Sequence, residues 1–258
     1  MTRELKAVKD ACEARVVRRL DITSDLFKLA LYITNPEKRK EFFFRAGQYC
    51  IIGLPKAGSS EIIWRPYSIV SAPYENSIEL FVELVPPPLG NLTPLLYQLA
   101  IGDAVLLMPK AKGVFTFESK YSHQVMVATV TGIAPFISML RDYIYRRQSG
   151  HYFYILQGAS YCDEFCYDDE LRGVATAQSG GVRIMYLPTV SRPNELRNQN
   201  WRCETGRVNK IVSGFLDRWS LVPSSTIIYA CGHPGMVADV KKKLSPMGWK
   251  VKEEKYWK

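Results

Sequence analysis

The sequence predicts two domains in series, an antiparallel β-barrel followed by an α/β domain with a parallel sheet. Three observations carry this. Six short runs rich in Val, Ile, Leu, Phe and Tyr, separated by turn signals, fill the first half. Strand-like and helix-like segments alternate through the second half. The change of character falls near Tyr121, which sets the domains at residues 1–120 and 121–258.

The strands of the first half are expected at 14–20, 26–34, 48–54, 64–71, 77–85 and 104–108. Asn35-Pro36, the stretch from Pro55 to Ser60, Pro73, Pro86-Pro87-Pro88 and Gly102-Asp103 mark the turns between them. One helical patch, 93–99, interrupts the series. Closely spaced short strands of this kind close into a small barrel. The second half gives strands at 124–130, 152–157, 182–190, 226–231 and 250–255. Helices are expected between them at 133–147, 168–177, 208–219 and 236–244. Alternation of this kind indicates parallel strands joined by crossovers. Ligands of such a sheet sit beyond the carboxyl ends of its strands. The positions to inspect therefore follow Val130, Gln157, Val190 and Tyr229.

Composition narrows the class. Of 258 residues, 47% are hydrophobic and 23% charged, which fits a globular chain and not a disordered or fibrous one. No apolar run reaches the ~18–20 residues of a membrane span. Residues 1–20 are too charged for a signal-peptide core. A soluble cytoplasmic protein is expected, with no membrane insertion. The six cysteines and three histidines are dispersed, without the paired spacing of a zinc or iron–sulfur site, so no metal is expected. The thiols, Cys162 and Cys166 included, are expected to be reduced. The net charge of +9 is unusual and points to an acidic partner: nucleic acid, an anionic membrane or an acidic protein.

The densest chemical cluster of the first half is Arg65-Pro66-Tyr67-Ser68. Arg65 offers a forked donor suited to a pyrophosphate. Tyr67 offers a flat amphipathic ring. Ser68 offers a hydroxyl. Period-2 alternation puts Arg65 and Tyr67 on one face and Ser68 on the other, unless the strand bends. Around this cluster stand Phe44-Arg45-Ala46-Gly47-Gln48-Tyr49 and Gly90-Asn91-Leu92-Thr93, the latter opening a helix whose free N–H groups could hold a phosphate. Then come Gly102-Asp103-Ala104-Val105, Thr131-Gly132-Ile133-Ala134-Pro135-Phe136, and Cys231-Gly232-His233-Pro234-Gly235-Met236-Val237. The chain ends Glu254-Lys255-Tyr256-Trp257-Lys258.

In this order the motifs resemble the ferredoxin–NADP+ reductase superfamily, in particular the bacterial flavodoxin/ferredoxin reductases, which end in a similar aromatic tail. The resemblance runs from about residue 14 to the end of the chain. It implies an FAD-dependent oxidoreductase that exchanges electrons between NADP(H) and a one-electron carrier, an acidic ferredoxin or flavodoxin, and that works as a monomer. It places Arg65, Pro66, Tyr67, Ser68, Phe81, Asn91, Leu92 and Thr93 at the FAD. It places Thr131, Gly132, Cys231, Gly232 and Met236 at the loops shared with the nicotinamide nucleotide. Ser191, Arg192 and Arg207 match positions that hold the 2′-phosphate of NADP. Ser68, Cys231, Glu254 and Tyr256 are the implied catalytic residues, with the Tyr256 ring covering the flavin face as a movable gate and Trp257 near the adenine end of FAD.

The sequence departs from that family pattern in three places. Val130 stands where the family commonly has a glycine. A β-branched residue resists φ > 0, so the turn is expected to be one that Val can adopt. Ser160, next to Tyr161, stands where related enzymes carry a further arginine, which weakens the expected preference for NADP. The triple proline 86–88 is expected to stiffen its loop. Other readings stay open: a reductase component of an oxygenase, an electron-transfer subunit of a larger complex, or a basic nucleic-acid-binding module. Against the last, no nucleic-acid motif appears and the charge is spread over both halves. Lys38-Arg39-Lys40 and Lys241-Lys242-Lys243 read as solvated faces, His233 as a surface residue of the nicotinamide loop, and Tyr143 and Tyr145 as packing or decorating a helix.

Overall fold

The structure, a computed structural model, describes residues 10–56, 58–177 and 182–255. They fall into two compact units. The first runs up to Thr116 and includes residues 137–142; the second holds residues 117–136 and the chain from Tyr143 onward.

Six strands build the first unit: β1 (Cys12–Asp21), β2 (Leu26–Ile33), β3 (Tyr49–Pro55), β4 (Ile62–Ser68), β5 (Ile78–Glu83) and β6 (Ala104–Leu107). They form one antiparallel sheet in the order β4-β3-β6-β1-β2-β5. Beyond β4, the Val70 N–H donates to the Glu79 carbonyl, so the edge strands meet and the sheet curls toward closure (2.9 Å). Alternate residues point inward, as the pleat requires. Val16, Phe27, Leu29, Leu31, Ile52 and Leu80 meet Leu96 and Leu107 in a dry core. The register of β1 slips between Val16 and Arg18. That bulge helps turn Arg18 toward β5, where it pairs with the buried Glu79 carboxylate at 2.7 Å. Arg141 approaches the same carboxylate at 3.9 Å.

Two short helices accompany the sheet, α1 (Pro36–Glu41) and α2 (Thr93–Tyr97). α1 is a correction to the sequence reading, which took Asn35-Pro36 as a turn. The Asn35 side chain accepts from the Glu37 and Lys38 N–H groups, and Pro36 stands in the first turn, where it has no N–H to lose. Nor are Lys38 and Arg39 merely solvated. The Lys38 ammonium donates to the Ala11 carbonyl, and Arg39 donates to Ile33 and lies over the Tyr32 ring.

The second unit has strands β7 (His123–Thr129), β8 (Tyr152–Ala159), β9 (Arg183–Val190), β10 (Glu204–Thr205), β11 (Thr226–Gly232) and β12 (Lys250–Lys255). Its helices are α3 (Ala134–Tyr145), whose residues 137–142 group with the first unit, α4 (Asp168–Ala177), α5 (Val208–Arg218) and α6 (Pro234–Leu244). All six strands are parallel, in the order β10-β9-β8-β7-β11-β12. The chain moves outward from β7 through β8 and β9, then returns to the other side of β7 as β11. The strand order therefore reverses between β7 and β11, and the ends of these two strands form the crevice such a sheet offers a ligand. α5 and α6 cover one face through Val212, Phe215, Val237, Val240 and Leu244. On the other face the Phe136 ring meets Tyr229 edge-on.

The segment entering β7 is pinned from inside. Gln124, wholly buried, donates to the Glu118 and Tyr121 carbonyls and accepts from the Tyr229 hydroxyl. That hydroxyl in turn accepts from the Glu118 N–H at 2.9 Å. Every polar atom of the pair is used, which is what burial demands.

Candidate active site

At the end of β4, Arg65 and Pro66 are exposed, Tyr67 is half-buried and Ser68 is buried. Strict alternation does not hold here. Arg65 faces solvent while the Tyr67 ring packs partly against the core. Burial pushes the Tyr67 phenol well above its ordinary value, so it remains a neutral donor. The Arg65 guanidinium donates to the Trp64 carbonyl at 2.8 Å, leaving most of its five N–H groups for a ligand. A forked cation, a flat ring and a hydroxyl thus succeed one another along one strand end. Phe81 is buried on β5.

The loop between β5 and α2 is closed by Thr93. Its hydroxyl accepts from the Val85 N–H and donates to the Val85 carbonyl, both at 3.0 Å. Gly90 sits so close under this loop that a Cβ would lie 1.7 Å from the Val85 oxygen. Only glycine fits. The Thr93 side chain thus holds the loop, and a ligand here would meet backbone groups and the exposed Asn91. The Leu92 side chain packs in the core, so its backbone is the part that a ligand would meet.

In the second unit the loops after β7 and β11 interlock. A Cβ on Gly132 would lie 2.2 Å from the Cys231 carbonyl oxygen. A Cβ on Gly232, whose φ is +121°, would lie 2.4 Å from the Thr129 hydroxyl oxygen and 2.9 Å from its carbonyl oxygen. That hydroxyl accepts the His233 N–H at 2.8 Å. Two glycines therefore let two backbones touch at the reversal point. His233 also caps α6, its Nδ1 accepting from the Gly235 N–H. Its role is the cap as well as the surface. Cys231 is wholly buried and lies beside Glu254 of β12 in register. Neighbours in parallel register share a face, so thiol and carboxylate stand together at the carboxyl edge. Thr131 is buried with them in this loop, whereas Met236 points into the α6 core and not toward the edge.

Val130 corrects one expectation. It adopts φ +40°, the left-handed region that a β-branched residue resists. Its surroundings over-determine the turn. Its carbonyl accepts from the buried Gln157 amide at 3.4 Å, and the Gln157 oxygen accepts from the Tyr186 hydroxyl at 3.0 Å. Its side chain packs on Ala159, Phe165 and Val190. Strain of this kind costs roughly 1–3 kcal/mol and persists only when neighbours hold it.

A third cluster joins the loops after β8 and β9. Arg192 donates to the Tyr161 hydroxyl at 2.8 Å and lies 3.5 Å from Glu195. The Tyr161 hydroxyl donates to Glu195 at 2.6 Å, and this bond raises its pKa above the ordinary value. The Tyr161 ring carries Arg197 at 4.1 Å and Arg192 at 5.3 Å. Arg197 is held bidentately by Asp163, both bonds 2.8 Å. Buried Asn198 ties the loops together, donating to Ser160 and Arg192 carbonyls and accepting from the Cys162 N–H. Ser191 continues from β9, its N–H donating to Ala159. Arg207 stands at the start of α5, exposed, with no hydrogen bond or ion pair of its side chain among the described residues.

The two units coincide with two sequence families. The oxidoreductase FAD-binding domain family matches residues 13–115, and the oxidoreductase NAD-binding domain family matches residues 126–242. The chain belongs to the ferredoxin–NADP+ reductase superfamily. It is 28% identical over 216 residues to a ferredoxin–NADP reductase of Pseudomonas aeruginosa, covering 81% of each chain. It is 27% identical over 211 residues to an NADH-cytochrome b5 reductase of Pyricularia oryzae, covering 79% of this chain and 64% of that one. A ferredoxin NADP+ reductase of Neisseria gonorrhoeae, solved with FAD and NADP bound, superposes with a TM-score of 0.80 at 25% identity, over 96% of this chain and 99% of that one.

Among the residues singled out from the sequence, Cys231, Gly232, Gly132 and Glu254 come together at one strand edge, and Arg192 joins Tyr161. Tyr256 and Trp257 lie outside the described residues. Sequence reasoning missed Glu195, Arg197 and Asn198. Their cross-loop partners Tyr161, Asp163 and Ser160 are 34 to 38 positions away, beyond any local spacing rule, although Glu195 also pairs with Arg192 three positions before it. The one available signal was position, since all follow the end of β9.

Proposed function

We propose that the chain is an FAD-dependent reductase that exchanges electrons between NADP(H) and a small one-electron carrier protein, ferredoxin or flavodoxin. The observation that carries this reading is the paired strand end: Cys231 beside Glu254, at the reversal of the parallel sheet, behind two interlocked glycines. A small buried thiol and a carboxylate suit the edge of a nicotinamide ring, and the close backbone approach leaves the β7 loop free to meet a pyrophosphate. In the first unit, the donor set Arg65, Tyr67 and Ser68 fits an FAD pyrophosphate, ring face and ring edge. Bound FAD would supply the conversion between two-electron and one-electron transfer.

The chain's own groups then divide the work. Arg65 binds phosphate oxygens through its fork. Tyr67, kept neutral by burial, supplies a ring face and a donor. Ser68, Cys231 and Glu254 orient the reacting rings and polarise their edges, with Tyr256 as a gate. Arg192 and Arg207 receive the 2′-phosphate. The functional domains are 1–120 for FAD and 121–258 for the nucleotide. The net charge of +9 suits an acidic carrier in the cytoplasm and a monomer that meets it transiently.

The test is NADPH-driven reduction of an acidic ferredoxin or flavodoxin by the FAD-loaded protein across a salt series. The rate of carrier reduction falls as salt rises, because encounter is steered by opposite charge. Turnover with neither carrier, at any salt, sinks the reading. Turnover only with NADH and an oxygenase component supports instead the superfamily's other role.

A further inference from the structure

The corner where Arg192 stands is not simply basic. Its cations are Arg192, Arg197 and, at the start of α5, Arg207. Its carboxylates are Asp163, Glu164 and Glu195. Two of these carboxylates are committed. Asp163 holds Arg197 by two bonds of 2.8 Å, and Glu164 accepts from the Ser160 and Tyr161 N–H groups at 2.8 and 3.2 Å. Glu195 is different. It is half exposed, as is Arg192, at 50% and 52%, so both can meet a coenzyme. One Glu195 oxygen faces Arg192 and the other accepts the Tyr161 hydroxyl.

The chemistry of the two coenzymes separates at this point. A 2′-phosphate brings close to two negative charges and needs donors. A carboxylate beside it offers only acceptors and repels it. A ribose 2′-hydroxyl brings a donor, and a carboxylate is its natural acceptor. The corner holds both kinds of partner within one hydrogen-bonded triad. Tyr161, whose ring carries the Arg197 guanidinium at 4.1 Å and whose hydroxyl accepts from Arg192, donates to Glu195 and keeps it in place.

We propose that Glu195 is a specificity-determining residue of the coenzyme site. It accepts the ribose 2′-hydroxyl of NAD(H) and opposes the 2′-phosphate of NADP(H), which draws the two coenzymes' efficiencies together. The inference rests on the reading of Arg192 as a coenzyme-binding residue. It adds that Arg192 is contested, so the chain uses NADH to a substantial degree.

The variant Glu195→Gln removes the charge and keeps an oxygen for the Tyr161 hydroxyl. Its kcat/KM is measured with NADPH and with NADH, alongside calorimetric binding of NADP+ and NAD+. Relief of one charge repulsion near a phosphate raises kcat/KM for NADPH about tenfold, through KM, while kcat/KM for NADH falls severalfold. A merely structural loop residue would move both coenzymes the same way. Equal shifts, or none, overturn the proposal. Arg192→Ala separates this from the underlying reading. If that variant weakens NADP+ selectively while Glu195→Gln changes nothing, the proposal fails and the reading stands. If Arg192→Ala leaves both coenzymes unaffected, the reading fails and takes the proposal with it.

Discussion

Replacing Gly232 by alanine tests whether the contact between the β7 and β11 loops organises the nucleotide edge. The added methyl would sit 2.4 Å from the Thr129 hydroxyl oxygen and 2.9 Å from its carbonyl oxygen, on a backbone at φ +121°. Ordinary contact begins near 3.4 Å, and backbone cannot swing aside, so the strand ends must separate. Strain at that φ costs about 1–3 kcal/mol. Overpacking against a fixed neighbour costs about 1–3 kcal/mol more. Two companion variants divide these terms. In Gly132→Ala the methyl meets the Cys231 oxygen at 2.2 Å without a left-handed φ, and reads the clash alone. In Gly150→Ala, at φ +88° with nothing within 4 Å, only the strain is read. Thermal unfolding by circular dichroism should rank Gly232→Ala as the most destabilised, by roughly 2–4 °C per kcal/mol. Calorimetry should show weaker NADP+ binding for Gly232→Ala and Gly132→Ala but not for Gly150→Ala. If Gly232→Ala melts and binds as the parent does, the interlock is not what sets this edge.

Three other expectations follow from the same geometry. Gln157→Leu removes the hydrogen bonds that Gln157 makes to the Val130 carbonyl and to the half-buried Tyr186 hydroxyl, a loss of about 1–3 kcal/mol; unchanged unfolding would show that Val130 holds its turn unaided. His123 stacks on Tyr152 and bonds the Tyr154 hydroxyl, and burial lowers its pKa below the ordinary value. Its contribution to stability is therefore full above about pH 6.5 and declines as pH falls through that value toward the lower folded one; the melting temperature of His123→Gln should lack this slope, and an identical pH profile would refute it. Arg65→Ala should leave the fold intact and lower FAD content after purification, by roughly 10–100-fold in affinity for a lost charge-assisted bond or two; undiminished flavin would remove Arg65 from the site.

Much of this was legible in the sequence because the signals were local. Strands alternate in side-chain pattern, and the helix at Asp168–Ala177 and the strand at Lys250–Lys255 follow from patterns read within a few residues. The misses have tertiary causes. Asn35-Pro36 serves turns and helix starts alike, and only the Asn35 side chain's acceptance of two N–H groups decides between them. A two-residue strand such as β10 has no periodicity to detect. Val130 obeys no local rule because Gln157, Ala159, Phe165 and Val190 outvote its own preference. The site shows the same divide. Glycines after strands were readable as close-approach points, whereas Glu195 became visible only when the loops after β8 and β9 were brought side by side.

The central claim is that one chain carries a flavin and passes electrons to it from a nicotinamide coenzyme. The visible spectrum of the purified protein, recorded anaerobically before and after NADPH, tests this most directly. Flavin bands that bleach on addition of NADPH are the predicted result. A colourless protein that takes up no FAD, or a bound flavin that neither NADPH nor NADH bleaches, would contradict the account.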